Sequence, residues 1–267
     1  MSNIKNAFKN GKAFIGFITG GDPTVEKTKE FIRQMIRAGA DLIEIGIPFS
    51  DPIAEGPIIQ EANNRALAAG ATVEKLFNLV AGLRKETSVP LLFMTYLNPV
   101  FHYGLNTNRV NGQAGYDVFF KRSSEVGLDG IIIPDLPFEE QSPVKEAAGK
   151  FGIDVISLIA PTSEARIKEI AKTASGFIYL VSSMGVTGIR GKITTDLDSI
   201  TKAIKSVSSV PLAIGFGIHT PAQAAQMAKI ADGVIVGSAI VKIAAEHGAQ
   251  AGPHIYRYVK EMKDAIV

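Results

Sequence analysis

Short runs rich in Ile, Val, Leu and Phe recur along the chain at residues 13–19, 42–46, 91–96, 130–134, 153–159, 177–181, 212–215 and 233–236. They are near-continuously apolar, which predicts strands buried on both faces, the habit of parallel sheets. Between them the apolar positions change to helical spacing, as at Phe31, Ile32, Met35 and Ile36, or at Ile167, Ile170 and Ala171. Helix start signals fall where this pattern needs them. Asp22-Pro23 offers a cap and a first-turn proline, and Thr220-Pro221-Ala222-Gln223 has the spacing of a capping box. Three helix-to-strand junctions read alike, at Gly39-Ala40-Asp41, Gly127-Leu128-Asp129 and Ala231-Asp232-Gly233, which predicts shared turn chemistry.

Eight such strand–helix units in 267 residues are the size of a closed (β/α)8 TIM barrel, an α/β fold, with an open doubly wound sheet as the structural alternative. No linker or composition break divides the chain, so one domain over residues 1–267 is expected, with a short extra helix at 2–8 outside the barrel. Two stretches exceed ordinary loop length, the polar 105–115 and the Gly-rich 182–195.

Composition narrows the function. A formal net charge of +2 without a basic block gives no reason to invoke nucleic acid, and no run approaches the roughly 20 apolar residues of a membrane span. The chain has no cysteine, so thiolate metal sites and thiol nucleophiles are out, and its four histidines lack ligand spacing; no metal site is expected. A cytoplasmic protein is the expectation.

In a barrel, chemistry belongs where strands end and helices have not begun. The second run, LIEIG, carries Glu44 among isoleucines, and its following loop carries Asp51 and Glu55. A carboxylate inside a strand costs several kcal/mol unless it is paired or protonated. Glu44 is therefore either a structural partner of a Lys or Arg, or a general acid/base with a raised pKa. Glu55 taken alone reads as a solvated loop residue. Tyr96, Asn98, Asp135 and Tyr179 sit at or just beyond other strand ends. Gly215-Phe216-Gly217 and Gly237-Ser238 end the last two runs, where bare backbone N–H groups and a helix start suit phosphate, or where the glycines simply turn the chain.

The segments FITGGDP, LIEIGIPFSDPIAEGP, IIIPDLPFEE, YLVSSMGVTGIR, GFGI and VGSAIVK, in this order over nearly the whole chain, resemble the tryptophan synthase alpha subunits. The resemblance implies cleavage of indole-3-glycerol phosphate to indole and glyceraldehyde 3-phosphate, without metal or organic cofactor in this chain. It also implies an αββα assembly with a beta subunit that carries pyridoxal phosphate. Carried over by motif, Glu44 and Glu55 fall on the catalytic acids, with Tyr179 and Thr187 supporting them. Gly188, Gly217, Gly237 and Ser238 match phosphate binders, and Phe17, Tyr96, Ile132 and Phe216 the indole pocket. Asp51, Asn98, Asp135 and Pro137 fall on segments facing the beta subunit.

Two departures stand out. The family most often has Asp where this chain has Glu55, and it enters its third helix sooner than the 105–115 stretch allows. A stand-alone lyase needing no beta chain, and a phosphate-binding regulatory subunit without catalysis, are the alternative functions.

Overall fold

The computed structural model describes residues 2–106, 115–182, 196–215 and 217–267, the side chains of 104–106 excepted. The eight apolar runs form the staves of one parallel barrel. Its strands are β1 (Ala13–Thr19), β2 (Leu42–Gly46), β3 (Leu91–Met94), β4 (Gly130–Ile132), β5 (Asp154–Val155), β6 (Ser157–Ile159), β7 (Ile178–Val181), β8 (Leu212–Gly215) and β9 (Gly233–Val236). They are joined in the order β5-β4-β3-β2-β1-β9-β8-β7-β6. The fifth run, expected as one strand, is two. Asp154–Val155 pairs with β4, Ser157–Ile159 pairs with β7, and Ile156 lies at the step between them. Closing a barrel requires staggered strands, and here one stave takes up the stagger by changing partner midway. The doubly wound alternative is excluded.

β3 and β4 stop short of their expected ends at 96 and 134. The chain leaves the sheet there because Asp135 Oδ1 accepts from Leu97 N at 2.9 Å, fixing the start of the helix Leu97–Asn106. That helix and the helix Gly115–Glu125 absorb both ends of the expected 105–115 loop. Residues 107–114 lie outside the described residues, as do 183–195 and Phe216. The first long helix, Val25–Arg37, is capped by Thr24, not Asp22: Thr24 Oγ1 accepts from Lys27 N, while the Asp22 carboxylate is held by Arg65 at 2.8 and 3.0 Å. The capping box at Thr220 and Gln223 forms as read.

Strand alternation sorts the apolar residues into two cores. Ile43 and Ile45 point outward against the helices, with Phe14, Ile18 and Phe31. Leu42 points inward, with Ile15, Phe17, Leu92, Ile132 and Tyr179. Period-two geometry therefore puts Glu44 inside the barrel. The 3-10 helix Ile4–Phe8, found where a short helix was expected, covers the barrel floor: Ile4 is fully buried and the Phe8 ring lies 6.0 Å from that of Phe177.

The three similar junctions share one device. Asp41 Oδ2 accepts from Phe14 N on β1, Asp129 Oδ2 from Leu91 N on β3, and Asp232 Oδ2 from Leu212 N on β8. Each carboxylate thus ties its own strand to the preceding one in the chain. Each also meets a cation, Lys263 at 2.8 Å, Arg84 at 2.7 Å and Lys205 at 3.0 Å respectively.

Candidate active site

Glu44 sits on the inner face of β2, level with Phe17 on β1 and Leu92 on β3. It is 1% exposed, and its Oε1 has no hydrogen-bond partner among the described residues. Among the described residues no Lys or Arg pairs with it, so none of them supplies the partner that the structural ion-pair reading of Glu44 needs. Burial pushes its carboxyl up to about 8, which leaves a neutral acid at physiological pH. Tyr179, on the inner face of β7, is also buried; burial first and the Glu44 charge second hold its phenol well above the ordinary range. Gly215 makes room for that ring, since a Cβ there would lie 2.5 Å from the Tyr179 hydroxyl oxygen. Gly46 does the same for Phe17, with only 2.7 Å from a built Cβ to the ring.

Glu55 is not the solvated residue its loop position suggested. It is 6% exposed, and burial raises its carboxyl to about 7 against the lowering pull of a hydrogen bond from Asn63 Nδ2 at 2.6 Å. Gln60 Nε2 donates to the Glu55 backbone carbonyl at 2.6 Å, and Ala54 N to the Tyr96 hydroxyl at 3.0 Å. The end of the loop is thereby fastened to the helix Pro57–Ala68 and to the end of β3.

At the end of β9, which β1 separates from β2, Gly237 is the N-cap of the helix Ser238–His247. Gly217 has φ +88°, a left-handed turn few side chains tolerate. His219 Nδ1–H donates to the Gly217 carbonyl at 2.9 Å and staples that turn. Gly217 follows β8, and Gly237 and Ser238 follow its neighbour β9, so all three lie on the same stretch of the rim, where a helix start suits an anion. Thr187, Gly188 and Phe216 belong to the undescribed residues.

A cavity of about 350 Å³ opens at the mouth, walled by Ala54, Met94, Pro134, Leu158, Tyr179 and Val181 among others. Phe17, Tyr96 and Ile132 are buried around the mouth, but the cavity walls are drawn from their neighbours. Asp51 and Pro137 are exposed on the rim loops, and Asn98 is exposed in the first turn of the helix Leu97–Asn106. Asp135 is half-buried and already engaged as a helix cap. Among the described residues no group of three His, Asp or Glu side chains could hold a metal.

The sequence reading missed Asn63, Gln60 and Thr19. Asn63 had a signal: it falls on the apolar stripe Ile59, Ala62, Asn63, Ala66, where an amide needs a partner. Thr19, the last residue of β1, is buried with its hydroxyl unpartnered and gave no sequence signal.

A closed (β/α)8 barrel with a buried neutral glutamic acid, a second loop-borne carboxyl and a glycine-lined helix start at its strand ends defines a general acid/base enzyme of the phosphate-binding barrel class. Residues 2–267 match the family model for the tryptophan synthase alpha chain. The alpha chain of Lacticaseibacillus casei is 48% identical over 266 residues, covering 100% of this chain and 96% of that one. The crystal structure of the Legionella pneumophila alpha chain is 36% identical with a TM-score of 0.85, covering 100% and 97%. A tryptophan synthase complex from Pyrococcus furiosus contains a chain 33% identical with a TM-score of 0.84, covering 95% and 99%. The chain belongs to the tryptophan synthase alpha family. It is a carbon–carbon lyase of tryptophan biosynthesis, cleaving indole-3-glycerol phosphate to indole and glyceraldehyde 3-phosphate.

Proposed function

We propose that Glu44 performs both proton transfers of this cleavage and that Glu55 supports the charge that develops between them. The observation that carries the assignment is the burial of Glu44 with its Oε1 unpartnered among the described residues, which favours the protonated form near neutrality. Glu44 gives that proton to indole C3, making a cationic indolenine. Its carboxylate then takes the proton of the glycerol hydroxyl on the carbon joined to C3. As the aldehyde carbonyl forms, the bond to C3 breaks and its electron pair restores the neutral indole. The anionic Glu55 stabilises the positive charge at the indole nitrogen meanwhile. Tyr179, buried beside Glu44, orients its carboxyl.

The substrate phosphate binds at Gly217, Gly237 and Ser238, with Gly188 joining from the 183–195 segment, and is held by backbone N–H groups and the positive end of the helix Ser238–His247. Phe17, Tyr96, Ile132 and Phe216 enclose the indole ring. Thr187 contacts Glu55 when its segment covers the site, excluding water. The acid and the base both come from this chain's side chains, so the chain itself uses no organic cofactor.

The partner is a tryptophan synthase beta subunit, with pyridoxal phosphate on its side, in an αββα assembly in the cytoplasm. Asp51, Asn98, Asp135 and Pro137 mark the docking rim. Two of the large exposed hydrophobic residues support this placement, Ile53 at 72% and Phe101 at 42%, both in rim segments.

Indole release tests the reading. Glu44→Gln in complex with a beta subunit is expected to fold and to lose about 10²–10⁴-fold in kcat. Retained turnover removes Glu44 from the mechanism. The wild-type chain is expected to release indole slowly alone and faster with beta; equal rates would favour a stand-alone lyase.

A further inference from the structure

The helix Pro57–Ala68 grips Glu55 from two successive turns. Its buried face is Ile59, Ala62, Asn63 and Ala66, so Asn63 places one amide on an otherwise apolar stripe. Burying an amide is costly unless it is hydrogen-bonded. Asn63 is 3% exposed, and its Nδ2 donates to Glu55 Oε2 at 2.6 Å. Gln60 holds the Glu55 carbonyl one turn earlier. The backbone and the carboxylate of one loop residue are thus fixed by the same rigid element.

We propose that Asn63 is a positioning residue for the lyase reaction: its amide holds the Glu55 carboxylate in one orientation and in its charged form, and so sets where negative charge meets the indole nitrogen. The inference rests on the role given to Glu55 above. An N–H donor favours the carboxylate over the acid, because the protonated oxygen is the poorer acceptor. Burial acts the other way, and the Asn63 bond is the group that counters it. The titratable neighbours give no substitute. From the end of β3 comes the Tyr96 phenol, which burial pushes up to about 12 and which stays neutral, and beyond it the carboxylate of Asp135. On the helix, Glu61 is exposed, and among the described residues no Lys or Arg pairs with Glu55. A neutral amide is therefore the group that favours the ionised form of this carboxyl, with no cation beside it among the described residues.

The test is the pH profile of kcat/KM for indole release, with the chain bound to a beta subunit, between about pH 5.5 and 9.5 for wild type, Asn63→Leu, Asn63→Asp and Glu55→Gln. The wild-type rate is expected to fall below about pH 7 as Glu55 takes up a proton. Asn63→Leu keeps the volume and removes the donor, so the acidic limb is expected to move up by about one pH unit, a loss of roughly tenfold on the acid side that shrinks at high pH. Asn63→Asp is expected to move it further, since two adjacent carboxyls resist double ionisation. A uniform loss of rate with the limb in place, or no change, in both Asn63 variants would overturn the inference and leave Asn63 a structural residue. Full rate and an intact limb in Glu55→Gln would instead overturn the role of Glu55.

Discussion

The floor and the mouth of this barrel both carry buried or half-buried carboxyl groups, and they treat them in opposite ways. At the floor, Asp41, Asp129 and Asp232 each accept a backbone N–H from the neighbouring strand and each meet a Lys or Arg. At the mouth, Glu44 has an unpartnered oxygen, and Glu55 has one amide and no cation among the described residues. A paired carboxylate is held in place and contributes to folding. An unpaired one destabilises its own charged form and so keeps a proton available. Where strands are joined the chain supplies partners; at Glu44, the group proposed to transfer protons, Oε1 has none among the described residues.

Exchanging the two behaviours should separate stability from chemistry. The largest contrast is between Glu44→Gln and Asp129→Asn. Glu44→Gln should lower indole release by about 10²–10⁴-fold while leaving the chain at least as stable as wild type at neutral pH, because the burial that penalises the Glu44 charge has nothing to act on in the amide. Asp129→Asn should do the reverse. It breaks the Arg84 pair and weakens the bonds from Leu91 N and Asn3 N, which should cost about 2–4 kcal/mol in urea unfolding. Its kcat/KM per folded molecule should stay within about twofold of wild type, because the floor touches no reacting atom. A dead but stable Asp129→Asn protein would break the comparison.

The pH dependence of stability is next in size. The Glu44 carboxyl is raised from 4.5 to about 8, so between these values the folded chain binds more protons than the unfolded one. The Glu44 contribution to stability should then be greatest below about pH 4.5, fall as pH rises, and level off above about pH 8. At 1.36 kcal/mol per pH unit the Glu44 share is on the order of 3–5 kcal/mol. Glu55 adds a smaller fall ending near 7. Glu44→Gln should remove the Glu44 share, making that variant more stable than wild type at about pH 9 in urea titrations. Parallel stability curves for the two proteins would contradict the mouth assignment.

The smallest effect sharpens the floor. Asp232→Asn removes a pair with the half-exposed Lys205, at 3.0 Å, where water already screens the charges. It should cost about 1 kcal/mol, well below Asp129→Asn, with activity unchanged in the same assay.

Much of this was legible in the chain. Strand positions followed from the near-continuous apolar runs, and Glu44 announced itself as a charge on an inward-facing position of such a run. The floor motif was visible as three matching junctions, but not its bonds, because each Asp reaches back about 20 to 40 residues to the neighbouring strand, a separation set by the crossover helix. The break at Ile156 was hidden inside an unbroken apolar run, since changing partner is a property of barrel closure and not of composition. Glu55 was misjudged as solvated for a related reason. Its burial depends on the helix that follows folding back over the loop, with Asn63 eight residues on as the contact. What a residue is made of shows in sequence; what it faces across the barrel does not.

The most direct test of the central claim is a ¹³C NMR titration of the glutamate side-chain carboxyls in the full-length chain, with Glu44→Gln used to assign the Glu44 signal. The account predicts a midpoint near 8 for Glu44. A midpoint near the ordinary value of about 4.3 would show an ionised, solvated carboxylate and contradict it.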